Sequence, residues 1–520
     1  MEHHGSESYF VLGEGLLTES VGGREPTLAR TLETSAPPFR FSRMGPKGAQ
    51  LTDATRRKLG FAMTEGGGGA GTIPAGYTYL GQFVDHDLTF DKTAVMLGES
   101  VAPSQLLQAR SPSLDLDSLY GAGPGDPGSA KFYKPDGIRL KTGATEAIGP
   151  DKAKKDFDLP RGAGSSRKQK RRAIIPDPRN DENLAVAQTH LALIRFHNRV
   201  AQSLPGPLTP AQRFAKAREL VVKHYQWMLR TDYLPRICAP AVVRDVFKNG
   251  RKAFEVGAPP TSVPTMPIEF SVAAFRLGHS MIRGTYDWNA RFPDKDGFLF
   301  FLFDFSAVSG NLGGGLRLPS NWIADWRRLY DFKEAGRNDL AHRVNRAMRI
   351  DTTLARPLHS LPTGSFGGPE VDFDDPRADL AFRNLTRAKM VKLATGQKMA
   401  SFLRSKGVDV KTLTPAQIRE GKGGAQLDSL TSAQRKSVVQ ATPLWFYVLR
   451  EAELGGGKLR GVGARIVAET FHRAMEGSEH SIVRDKTWKP TLGPDSKTFR
   501  MVDLLLFAFE GKKSLLAPLA

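Results

Sequence analysis

Apolar residues recur at helical spacing along much of the chain. In Tyr77–Phe90, Tyr79, Leu80, Phe83, Val84, Leu88 and Phe90 surround four polar groups, Gln82, Asp85, His86 and Asp87. At about 100° per residue, Gln82 and His86 share a helix face, Asp85 lies beside them and Asp87 points elsewhere. The apolar neighbours bury this segment, and buried carboxylates require a covalent, metal or hydrogen-bonded partner. A second amphipathic helix is predicted to open at Pro178, with Leu184, Leu191, Leu193, Ile194 and Val200 on its apolar face. Arg179 and Glu182, three apart at its start, can reach one ligand together. Further helical patterns cover the segment ending at Ile237, then Phe270–Arg283, the segment containing Asn384 and Arg387, and two stretches between Thr442 and Met475 joined by a turn at Gly455–Gly457.

Between these helices, Ser111, Ser113, Asp115 and Asp117 alternate, so that an extended loop would turn their oxygens to one side. Hard cations such as calcium take six to eight oxygens, and such a loop delivers several; an exposed acidic turn is the plainer reading. In Phe270–Arg283 the phase places Phe275, Leu277 and Ile282 around His279. His190, His197 and His224 lie in apolar helices and read as core or surface histidines. Residues 1–76, rich in Gly, Pro and Thr, read as an irregular arm, and 121–172 as loop. The basic run Arg167–Arg172 reads as a solvated loop, since no aromatic platform accompanies it.

The Gly81–Gln82 step followed by Asp85–His86–Asp87, together with the run from Pro178 to Asn183 and the Phe275 to His279 pentapeptide, resembles the animal-type haem peroxidases. The resemblance extends from about Tyr77 to Met475. It implies a mainly α fold, with one large helical haem peroxidase domain over 77–520 and few short strands. It implies a b-type haem with His279 as proximal ligand and Asn384 accepting from that imidazole. Asp85 and Glu182 would be ester anchors to the haem, and Arg276 and Arg387 would meet its propionates. His86 would be the distal acid and base, Gln82 its hydrogen-bonding neighbour, and Arg179 the distal cation. A calcium ion would sit among Asp87, Ser111, Ser113, Asp115 and Asp117. Asp117 stands where a hydroxyl is usual in the mammalian members, and Asn183 stands where myeloperoxidase carries a methionine.

The activity so implied is oxidation of halides, thiocyanate or phenolic donors by hydrogen peroxide through a ferryl intermediate. Two alternatives lie within the superfamily: a fatty-acid dioxygenase and a peroxinectin-like adhesion protein. The dioxygenases use a tyrosine three residues before the proximal histidine, where this chain has Arg276.

Composition adjusts this picture in three ways. The chain has 520 residues, 40% of them hydrophobic, and no apolar run near the ~18 residues needed to cross a bilayer. Its one cysteine, Cys238, permits no intrachain disulfide, unlike the mammalian members, and leaves packing and calcium as the expected stabilisers. A net charge of +20 invites a nucleic-acid reading, but no nucleic-acid motif accompanies it and no such partner is expected; a positive field also attracts small anions. The N-terminal residues lack the pattern of a cleavable export signal. The resemblance implies an extracellular protein, with a cytoplasmic location as the alternative.

Overall fold

The computed structural model describes residues 9–11, 17–18, 39–65, 68–95, 97–361 and 376–520. Nine helices matter for the site: α1 (Asp53–Glu65), α2 (Gly76–Leu88), α3 (Leu184–Ser203), α4 (Pro210–Met228), α5 (Pro240–Asn249), α6 (Leu299–Asp304), α7 (Leu380–Met390), α8 (Leu444–Leu454) and α9 (Gly461–Glu476). Strands are short and form two- and three-stranded sheets at the periphery. This is the mainly α architecture that the resemblance implies.

Helix α2 is the central element. Leu80, Phe83, Val84 and Leu88 are fully enclosed, and no residue of the helix is exposed. It packs on α3, whose first turn is capped by the Asn183 side chain, Oδ1 accepting from the Val186 amide at 2.9 Å. Strand Ala70–Pro74, paired antiparallel with Arg346–Met348, leads into α2. The irregular arm expected over 1–76 therefore has regular structure in its described part: α1 lies against α7, and Phe39–Ser42 pairs with both Leu107–Gln108 and Met266–Pro267. The rest of that arm, including Gly66 and Gly67, lies outside the described residues.

Three other expectations need correction. The helix expected from Pro178 starts at Leu184, and Pro178–Asp181 forms a separate 3-10 turn. Asp177 and Asn183 explain the break, because each side chain accepts a backbone N–H and so caps its own turn. The helix expected over Phe270–Arg283 is three short pieces, Ile268–Ser271, Ala274–Leu277 and Gly278–Met281. The basic run is a short helix, Arg167–Arg171, in which Arg167 and Arg171 both donate to the Gly314 carbonyl and Arg171 also to that of Gly315.

Helix α4 continues into a π-helical turn, Leu229–Tyr233. Pro235 has no N–H and its ring opposes the carbonyl four residues back, so the ladder widens ahead of it. This turn abuts α2: Tyr77 donates to Asp232 at 2.6 Å, and a Cβ on Gly81 would lie 2.3 Å from the Tyr233 hydroxyl. Gly81→Ala should therefore lower stability by about 1–3 kcal/mol, read as a shift in the urea midpoint. Adding Tyr233→Phe should restore part of the loss, and strict additivity of the two changes would disprove the contact.

Candidate functional site

A cavity lies between α2, the Pro178–Asn183 segment, α6, α7 and the His279 segment. His86, Asp85, Gln82, Arg179 and Glu182 line one side; His279, Arg276, Arg383 and Arg387 line another, and Tyr79, Phe275, Leu299 and Phe303 supply apolar wall. Nine of the residues singled out from sequence are thus accounted for at this site. Eight line the cavity directly; Asn384 stands just behind His279.

On the His86 side, Nδ1 lies 2.9 Å from Asn180 Oδ1, and the Asn180 amide nitrogen lies 3.0 Å from His190 Nδ1. Burial pushes the His190 pKa down to about 3, so that ring stays neutral and can accept from Asn180. The Asn180 carbonyl then accepts from His86 Nδ1–H, which leaves His86 Nε2 as the basic nitrogen. That nitrogen is 3.4 Å from Glu182 Oε1. Burial and the Arg179 charge both work against protonation of His86, but Glu182 and Asp177 outweigh them and hold its pKa above the ordinary value. Gln82 is turned to Glu182, donating at 2.5 Å, while its carbonyl accepts from Asn183 at 2.9 Å.

Arg179 is held more firmly than its position alone suggested. It donates to both oxygens of Asp177, at 2.9 and 2.6 Å, and to the His86 and Thr89 carbonyls at 3.0 and 2.6 Å. Its guanidinium also lies 4.3 Å over the Phe90 ring. Arg110 donates to Asp177 at 2.6 Å, and the two cations hold that carboxyl well below the usual carboxylate range despite its burial. Asp177, Asn180 and Arg110 were missed from sequence, although the density of polar residues between Asp177 and Asn183 was the available signal.

On the opposite side, burial and the cations Arg276, Arg387 and Arg383 push the His279 pKa well down. A permanently neutral imidazole is what a metal ligand requires. Its Nδ1 lies 2.8 Å from the Asn384 amide nitrogen, and Asn384 Oδ1 accepts from Arg276 and Arg387 at 3.4 and 3.2 Å. The expected arrangement, with Asn384 accepting from the ring, is the one reached by rotating this amide by 180°; here the two guanidiniums claim the oxygen. Arg383, missed from sequence, is pushed down to about 10 by burial and by Arg276. Three guanidiniums on one wall repel each other and suit a ligand with carboxylates. Asp85, whose pKa burial raises, lines the same cavity.

The five residues expected around a calcium ion are only partly brought together. Asp87 is fully enclosed; its Oδ1 accepts from the Ser118 amide and hydroxyl at 3.2 and 3.0 Å, and its Oδ2 has no hydrogen-bond partner among the described residues. Burial and the nearby Asp117 push its carboxyl up to about 7. Asp115 turns elsewhere, because Ser478 Oγ and the Glu479 amide occupy its Oδ1 at 2.6 and 3.0 Å. Ser113 Oγ donates to the Gly477 carbonyl, and Ser111 Oγ accepts from the Ser113 amide. Asp117 opens a short helix instead of extending the loop, 3.9 Å from Arg218. Among the described residues no group of three or more His, Cys, Asp or Glu is gathered as for a metal ion.

Comparison with known proteins fits this geometry. Residues 89–298 match the model of the animal haem peroxidase family. Thyroid peroxidase of Mus musculus is 28% identical over 212 residues, 37% of this chain and 21% of that protein. The chain thus matches only a minor part of the length of such curated relatives. Peroxidase A from Dictyostelium discoideum superposes with a TM-score of 0.60 at 15% identity, covering 92% of this chain and 94% of that one. The Oryza sativa fatty acid alpha-dioxygenase does so with a TM-score of 0.55 at 11% identity, covering 98% and 87%. The family match spans Arg179 to His279, and His86 and Asn384 are folded onto the same cavity; the match and the likeness of fold support the animal haem peroxidase superfamily for this chain.

Proposed function

We propose that this chain uses hydrogen peroxide to oxidise small anions or phenolic donors at a haem held between His86 and His279. The observation that carries the reading is that two neutralisable histidines, far apart in sequence, face one cavity with opposite support: Asn180 and Glu182 for one, Asn384 and three guanidiniums for the other. The residues present fit the cofactor. His279 would take the iron, Arg276, Arg383 and Arg387 would meet the propionates, and Asp85 and Glu182 would form the ester links. When bound, haem supplies the redox chemistry.

The chain's own contribution is proton handling and field. His86 Nε2, free of a proton, removes one from peroxide and returns it to the leaving oxygen. Asn180 keeps the tautomer that makes this possible. Arg179, fixed by Asp177, sets a positive field beside the distal nitrogen and favours the charge that develops there. Gln82, bridging Asn183 and Glu182, keeps the Glu182 carboxyl in place. The enclosed, partly apolar wall limits water. Calcium is supported by Asp87, whose buried Oδ2 has no hydrogen-bond partner among the described residues; Asp87, Asp117 and neighbouring carbonyl or hydroxyl oxygens would hold it.

A fatty-acid dioxygenase is the rival reading, favoured by the likeness of fold to the rice enzyme. Arg276 argues against it: a guanidinium carries no radical, and a charge there is costly beside a lipid chain.

Three measurements test this reading. An oxygen electrode run beside a dye assay on one preparation should show peroxide-dependent dye oxidation and no oxygen uptake with a polyunsaturated fatty acid. His86→Ala should lower the dye rate about 10²–10⁴-fold, and Arg179→Ala should lower both the rate and the melting temperature. Lipid-dependent oxygen uptake that persists in Arg276→Leu would reverse the assignment.

Asn180→Asp places a carboxylate against His86 Nδ1–H, so the imidazolium is favoured and the pKa rises further. The base must be unprotonated, and the acidic limb of the peroxide reaction should move to higher pH by about one unit or more. An unmoved limb would remove Asn180 from the mechanism. Chelation with EGTA should lower the melting temperature and the turnover together, whereas a fully stable, active protein free of calcium by elemental analysis would eliminate the ion.

A further inference from the structure

On the far side of the π-helical turn from the cavity lies an open groove of about 2000 Å³, walled by the end of α4, α5, the end of α9 and the loop after it. Its floor and rim carry Arg230, Arg244, Lys248, Lys486 and Lys489. Among the described residues none of these five makes a salt bridge to a carboxylate. The one acidic group in the wall, Glu476, is engaged by Arg251 at 2.7 Å and lies 3.8 Å from Arg473. Other carboxylates on the same elements are also committed elsewhere, Asp245 to Arg465 and Asp485 to Lys223. Arg230 is half-buried, and its neighbours are rings: its Cζ lies 5.1 Å from Phe247 and 6.0 Å from Trp227. A part-buried guanidinium with only aromatic neighbours, amid four further cations, is an anion site short of its anion. We infer that this groove binds a linear sulfated polysaccharide, whose successive anionic groups pair with these five cations.

The groove's own geometry favours that class over single-stranded nucleic acid. Binding of bases would need open ring faces. Lys489 Nζ lies 5.4 Å over Trp227, Arg230 sits against both Trp227 and Phe247, and Trp488 packs edgewise on Trp227 and His224. The rings are thus used to hold cations in position. Recognition is left to charge spaced along a groove, and a single small anion would neutralise only part of it. The same π-helical turn that carries Arg230 into the groove carries Tyr233 into the cavity wall, so an occupant of the groove would lie just behind the active site.

The test is binding of the full chain to a heparin-derived octasaccharide, followed by calorimetry over a range of salt. Binding is expected to weaken as salt rises. The double variant Lys486→Gln, Lys489→Gln should weaken it and lower the slope of log affinity against log salt by roughly one to two, and Arg230→Gln should act in the same direction. The double variant Lys168→Gln, Lys170→Gln in the exposed basic helix should leave binding unchanged, as should either groove variant leave peroxide-dependent dye oxidation. No binding, unaltered binding in both groove variants, or loss of binding in the Lys168, Lys170 variant would overturn the assignment. So would equal or tighter binding of a thymidine oligonucleotide of matched charge, which would point to nucleic acid instead.

Discussion

The clamp between Asp177 and Arg179 holds the site together. Arg179 meets both Asp177 oxygens and two carbonyls at the end of α2, so one side chain ties the helix that carries His86 to the turn that carries Asn180 and Glu182. Both partners are almost wholly enclosed. Removing one member of such a pair leaves a buried charge unmatched, at a cost of about 3–5 kcal/mol. The negative end of the α2 dipole adds to the attraction for a cation there. Two cations, Arg110 and Arg179, share Asp177, and that excess leaves positive potential for the cavity beside His86.

The cavity then works through an imbalance of charge between its walls. Glu182 and Asp177 favour a proton on His86, whereas Arg276, Arg383 and Arg387 disfavour one on His279. Under the proposed function, one imidazole would transfer the proton and the other would stay neutral for ligation. Asn180 and Asn384 occupy equivalent places behind the two rings, but their amides are fixed by different neighbours: His190 accepts from one, and two guanidiniums donate to the other. A ligand that draws Arg276 and Arg387 toward its carboxylates would weaken their hold on the Asn384 oxygen and let that oxygen face His279 Nδ1.

Much of this was legible in the sequence, and the misses have physical causes. The apolar pattern located α2, α3, α8 and α9, because each buries a broad apolar face and period 3.6 then dominates composition. The His279 segment broke the pattern: its apolar residues fit a helix, yet the chain is packed on all sides there and turns twice within fourteen residues. At Pro178–Asn183 local capping by Asp177 and Asn183 overrode the helical spacing. The alternation from Ser111 to Asp117 suggested a single row of ligands, but that argument assumes an extended loop. Ser478 and Glu479, more than 350 residues away in sequence, take Asp115 out of the row, and no local reading could place them there.

The likeness of fold to both a peroxidase and a dioxygenase shows how little backbone geometry alone decides. At 11–15% identity the likeness is one of fold, and the residues that line the cavity are free to vary. In this chain the wall position three before His279 is a guanidinium that donates to Ser271 and Asn384. It therefore belongs to the scaffold that keeps His279 neutral, and replacing it by a neutral residue would lift part of that suppression and alter the proximal histidine as well as the cavity. A tyrosine at that position could not make both contacts, since it brings one donor where Arg276 brings several. The arrangement around His279 thus depends on Arg276, the residue that under the proposed function would set this cavity apart from a radical-carrying one.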